Sequence, residues 1–136
     1  MFSHLIINVN ELYTDTLAHK RKRIIMTTTD LSLEKIYNLA IKTLKHNGCD
    51  ELNAEAVANT VTNAERDGSV SHGLFRIPGY VAALKSKKVK GNARPTNNFL
   101  TQNAIRVEGD YGFAPTAIGV GIPALVDITK KHGVGV

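Results

Sequence analysis

From Ser32 onward the hydrophobic positions of this chain fall into helical spacing. Leu33, Ile36, Ala40 and Leu44 recur at intervals of three and four, Ser32 stands where a side-chain oxygen can cap the first turn, Glu34 follows in that turn, and Gly48 marks the stop. A second helix is expected with Asn53 as its cap, Glu55 near its start and a stripe of small apolar residues, Ala54, Val57, Ala58, Val61 and Ala64, before Asp67 and Gly68 end it. Small side chains let helices approach closely, so this face should pack against the first helix. Pro78 would clash inside a helix and remove a hydrogen bond, so a third helix should begin between Leu74 and Pro78 and continue through Tyr80, Val81 and Leu84, with residues 68–73 as the loop leading into it.

Residues 85–101 are polar and predict an extended connection, residues 104–108 alternate as a short strand does, and Gly109-Asp110-Tyr111-Gly112 predicts a turn. A last helix is expected from about Pro115 to Lys131, with Ala117, Ile118, Gly121, Leu125 and Ile128 inward, a kink at Pro123 and Gly133 as its stop. Val134-Gly135-Val136 has the pattern of a strand's first residues. Residues 1–29 show no sustained period and are expected to be a poorly ordered N-terminal extension. Met26 resembles a second start, which would make the first 25 residues an upstream addition.

Composition narrows the class only moderately. The 136 residues are 43% hydrophobic and 21% charged, as in an ordinary globular domain, and one domain is expected. No apolar run reaches the roughly 18 residues a membrane span requires, and the basic cluster follows the apolar Leu5-Ile6-Ile7 where a signal peptide has it first. The single cysteine, Cys49, forms no internal disulfide and has no partners at zinc-binding spacing, so a reducing, cytoplasmic compartment and no metal are expected. Of the seventeen basic residues behind the net charge of +5, four are Lys20, Arg21, Lys22 and Arg23; from Asp30 onward 13 basic and 10 acidic residues leave a mild surplus of +3, spread over Lys85, Lys87, Lys88, Lys90, Lys130 and Lys131.

The densest cluster of reactive residue types is Glu65-Arg66-Asp67-Gly68-Ser69-Val70-Ser71-His72-Gly73-Leu74-Phe75-Arg76, at a loop-to-helix junction. If the helix already includes His72, the spacing of four puts His72 and Arg76 on one face. Arg76 can grip a carboxylate through two parallel hydrogen bonds, an imidazole can deliver a proton, and Ser71 can orient the ring or the substrate. For an arbitrary sequence a His-Gly pair is more often a surface turn and such an arginine merely solvated, and spacing alone does not decide between the readings. Glu65 and Asp67 read as a charged helix end, and His4, His46 and His132 as surface residues. Gly119-Val120-Gly121-Ile122-Pro123-Ala124 fits the loose dinucleotide fingerprint, but it lacks a preceding apolar strand, and glycine-mediated helix packing is the expected purpose.

The run from Glu65 to Tyr80 resembles the Ser-His-Gly-Leu-x-Arg-x-Pro-x-Tyr signature of the malate/L-lactate dehydrogenase family that lacks a Rossmann domain, a family that includes reductases of cyclic imino acids. The preceding helix pair, the glycine-rich residues 109–121 and the Lys-His-Gly-Val-Gly-Val segment also resemble it, so the likeness spans about Asp30 to Val136. Arg66-Asp67-Gly68-Ser69 is most similar to the delta-1-piperideine-2-carboxylate/delta-1-pyrroline-2-carboxylate reductase branch. The resemblance implies an α/β sulfolactate/malate dehydrogenase-like fold, of which residues 30–136 would be an incomplete, helix-rich N-terminal portion. It implies His72 as proton donor with Ser71 beside it, Arg76 on the carboxylate of a small 2-oxo or cyclic imino acid, and NADPH or NADH as hydride source. Cofactor-binding residues cannot be assigned in this chain, activity of the chain alone is not expected, and a homodimer is implied only for the complete enzyme. Two other classes set against this are a basic nucleic-acid module using Lys20 to Arg23 and Lys85 to Lys90, disfavoured by only eight aromatic residues, and a non-functional gene remnant with exposed apolar surface.

Overall fold

In a computed structural model of the chain, residues 3–7 and 27–136 are described, with side chains from Thr29 onward. The basic tetrad Lys20 to Arg23 and the second start at Met26 lie outside the described residues. Two strands, β1 (Ser3–Ile7) and β2 (Thr27–Leu31), pair antiparallel with Ser3 opposite Leu31 and Ile7 opposite Thr27. The expectation for residues 1–29 assigned no element here; β1 and most of β2 fall within that span.

Helix α1 (Leu33–His46) starts where Ser32 Oγ accepts the Lys35 N–H at 3.3 Å, as expected from the sequence. Helix α2 (Glu51–Arg66) starts earlier than expected, because Asp50 and not Asn53 is its cap: the Asp50 carboxylate accepts the Asn53 backbone N–H at 3.1 Å and its side-chain amide at 2.8 Å. Ile36, Ala40 and Leu44 of α1 interlock with Ala54, Val57, Ala58 and Val61 of α2, and nearly all of these side chains are fully buried. This helix pair is the core of the described residues. Helix α3 (Ile77–Lys85), with Pro78 in its first turn, adds Ile77 and Leu84 to it.

The expected extended connection contains a strand, β3 (Thr96–Thr101), paired antiparallel with β4 (Ala104–Glu108). Its residues are mostly exposed and polar, which is why alternation did not reveal it. Helix α4 (Ala114–His132) ends at Gly133, which adopts φ 78°. The helix continues through Pro123, whose missing N–H leaves the carbonyl of Gly119 to solvent, since Gly119 is exposed. Gly121 faces β4 so closely that a Cβ would stand 2.8 Å from Val107 Cγ2, so the glycine serves packing, and residues 119–124 lie inside a helix where no phosphate cradle can form. Of the residues expected inward on α4, Gly121 and Ile128 are buried, but Ile118 is 58% exposed and forms an outer stripe with Ile122 and Val126. Val136 N–H donates to Asn103 O and Val136 O accepts from Ile105 N–H, both bonds flanking one residue of β4 as a parallel neighbour's do.

A buried polar network ties these layers together. Asn53, fully buried, donates to Asp50 Oδ1 and to Ala93 O at 3.1 Å, and accepts from Thr116 Oγ1 of α4 at 3.0 Å. Arg94 closes the network with an ion pair to Asp50 Oδ2 at 2.6 Å. Burial pushes against ionisation of the Asp50 carboxyl, but the hydrogen bonds from Asn53 and the Arg94 guanidinium together hold it below the usual carboxylate value.

Candidate active site

The segment that follows α2 is built from two tight turns. The α2 helix closes with Gly68 N–H on Glu65 O and Ser69 N–H on Ala64 O, and the chain then forms two 3-10 turns, Val70–His72 and Leu74–Arg76, that lead into α3. Gly73 lies between them with φ −84° and ψ −140°, off the helical path. His72 and Arg76 therefore belong to separate turns, and the shared helix face that a spacing of four would give them is not how they are related.

The structure brings Ser71 and His72 together: Ser71 Oγ lies 3.0 Å from His72 Nδ1, and Ser69 Oγ lies 3.4 Å from the same atom. Both hydroxyls engage Nδ1, so the ring's other nitrogen is left without a hydrogen-bond partner among the described residues. Both residues are exposed, as is Arg76. Arg76 instead borders an open cleft of about 560 Å³ lined with Phe75, Gly79, Tyr80, Ala83, Val89 and Phe113, which does not include His72. The Tyr80 and Phe113 rings meet edge to face in its wall, with centroids 5.2 Å apart and planes at 76°. One guanidinium over an otherwise apolar hollow is suited to a small molecule with a single carboxylate and a hydrocarbon body.

Glu65 departs from the charged helix end that the sequence suggested. It is buried, and its Oε1 accepts the Leu74 N–H at 2.7 Å, whereas Asp67 is exposed and pairs with Arg66. The available signal was its register: Glu65 stands four residues after Val61 and seven after Ala58, on the buried stripe of α2. Cys49 is buried beside Asp50; burial first, and then that neighbouring carboxylate, push its thiol up to about 11. His46 and His132 are exposed, as expected.

Helix pair, looped turns, hairpin and packed helix together make a helix-rich part of an α/β fold of the sulfolactate/malate dehydrogenase type. The malate/L-lactate dehydrogenase family model matches residues 31–136, and the chain belongs to that family. It is 40% identical over 104 residues to a delta(1)-pyrroline-2-carboxylate reductase of Ancylobacter novellus, covering 76% of this chain and 30% of that one. A delta(1)-pyrroline-2-carboxylate reductase 1 of Burkholderia ambifaria is 38% identical, with 76% of this chain and 31% of that protein covered. Among solved structures, delta1-piperideine-2-carboxylate reductase from Pseudomonas syringae superposes with a TM-score of 0.71 at 33% identity, over 74% of this chain and 30% of that one. The chain thus spans about a third of the length of these relatives.

Proposed function

We propose that this chain carries the substrate-handling half of a reductase that uses NADPH or NADH to reduce a small 2-oxo acid or, by preference, a cyclic 2-imino acid. The observation that carries the reading is the placement of Arg76 at the rim of an apolar cleft, one tight turn after an exposed imidazole already engaged by Ser71 on Nδ1. Arg76 binds the substrate carboxylate; the hydrocarbon ring of the imine lies toward Tyr80, Ala83 and Phe113; His72 gives its proton from Nε2 to the heteroatom as the adjacent carbon is reduced. Among the described residues, Arg76 is the one cation lining this cleft, and a second carboxylate, as in a dicarboxylic 2-oxo acid, has no partner among them. The similarity to reductases of pyrroline- and piperideine-2-carboxylate supports the cyclic imine independently.

Hydride supply belongs to the nicotinamide. Residues 119–124, which fit the loose dinucleotide fingerprint, lie inside α4, and we assign no dinucleotide contact to the described residues. The proposal extends to the chain by itself: with a third of its relatives' length it binds the substrate without turning it over.

Pyrrole-2-carboxylate, a planar unreactive analogue, is the probe. Titrated into the isotope-labelled chain, it should shift resonances of Arg76, Tyr80 and His72, and Arg76→Ala should abolish the response. A response centred elsewhere, or equal in parent and variant, would sink the carboxylate site. Replacing the matched segment of the Ancylobacter novellus relative with residues 31–136 should give a chimera that oxidises NADPH with pyrroline-2-carboxylate, while the 136-residue chain alone does not.

A further inference from the structure

Glu65 is the one buried carboxylate among the described residues, and its place conflicts with local preference. It stands in the last turn of α2, where the helix dipole disfavours an anion, and burying a carboxylate costs free energy unless it is hydrogen-bonded. Part of its compensation comes from outside its own helix, through the Leu74 N–H nine residues on, at 2.7 Å. Gly73 lies beneath the same carboxylate: a Cβ there would come within 2.0 Å of Oε1 and 2.4 Å of Cδ. The carboxylate therefore spans the break between the two turns, one ending at His72 and the other beginning at Leu74.

We propose that Glu65 is a positioning residue, whose carboxylate sets the angle between these turns and so fixes His72 relative to Arg76. The inference rests on the assignment of those two residues to substrate under Proposed function. It also accounts for Gly73, the only residue type that leaves room for a side chain to pass across the backbone at that point.

The test compares Glu65→Ala, Glu65→Gln and Gly73→Ala in the 136-residue chain. It reads amide exchange at Leu74 relative to Ala40 in the core, the ring nitrogen shifts of His72, and pyrrole-2-carboxylate binding. Loss of the buried hydrogen bond in Glu65→Ala should speed Leu74 exchange about tenfold or more relative to Ala40, move the His72 shifts and weaken binding. Glu65→Gln, which keeps an oxygen of the same reach, should restore all three. Gly73→Ala, which displaces the carboxylate, should mimic Glu65→Ala, and the same change should do less harm in the Glu65→Ala background, where the space is vacated. If Glu65→Ala fails to fold, Gly73→Ala and Glu65→Gln carry the comparison. Unchanged Leu74 exchange, or loosened exchange with unmoved His72 shifts, would overturn the proposal. Binding that survives Arg76→Ala would instead overturn the substrate assignment and leave the Glu65 linkage standing.

Discussion

The α1–α2 pair and the turns between α2 and α3 are neighbours in sequence but are held together in opposite ways. In the helix pair, interlocking small and branched side chains at the seam are fully buried and packed against several neighbours each. In the turns at Val70–His72 and Leu74–Arg76 only Leu74 is buried, and the geometry depends on short backbone bonds and one carboxylate. The lesson is a division of labour: the platform tolerates small shifts because many contacts share the load, whereas the exposed turns present chemistry at the expense of redundancy.

The sharpest way to test that contrast is to damage each region and read both activity and stability. In the chimera described above, His72→Ala should lower turnover by about two to four powers of ten while leaving the melting temperature nearly unchanged. Arg76→Ala should act mainly on KM. Equal and small effects of both changes would remove these residues from the mechanism. The converse holds for the platform: Leu44→Ala, at a fully buried position, should cost about 2–5 kcal/mol in chemical denaturation without a specific loss of analogue binding in the fraction that stays folded. A cost under about 1 kcal/mol would mean that the helix pair is not the core.

Asn53→Ala should follow at roughly 1–3 kcal/mol, since it strands Thr116 and the Ala93 carbonyl together. Asp50→Asn keeps a capping oxygen but loses the charge opposite Arg94, so its cost should be about 1 kcal/mol or less. The sign with pH is fixed by the depressed Asp50 carboxyl. Its stabilising share is present above the unfolded value of about 4 and is lost as pH falls through the lower folded value. The gap between parent and Asp50→Asn should therefore close in acid, and a gap that widens on acidification would reverse the assignment. A reactivity check, outside that stability ranking, concerns Cys49: its raised thiol should react with an alkylating agent at pH 8 about a hundredfold more slowly in the native chain than in the unfolded one.

Much of the fold was legible along the chain because its signals are local. Ser32, the 3-4 stripe through Leu44, the alternation of Ala104–Glu108 and the stop at Gly133 each act within a turn or two, and each marks the element it predicts. The reactive cluster was legible too, through its residue types and its resemblance to a family signature. Other features depended on partners far away. Asp50 outcompeted Asn53 as cap because Asn53 was already committed to Ala93 and Thr116, the latter 63 residues on. Strand β3 formed from polar residues because β4 offered its backbone, and Ile118 faces outward because Gly121 set which side of α4 meets β4.

The sequence by itself determined which residues can do chemistry and, apart from the start of α2, where the helices begin and end, since side-chain reactivity and most capping are properties of a few adjacent residues. Only the tertiary structure decided how those residues stand to one another. Whether His72 and Arg76 share a helix face depends on the backbone at Gly73, and that backbone is held by Glu65, a side chain from a different element whose hydrogen bond exists only once the chain has folded back upon it.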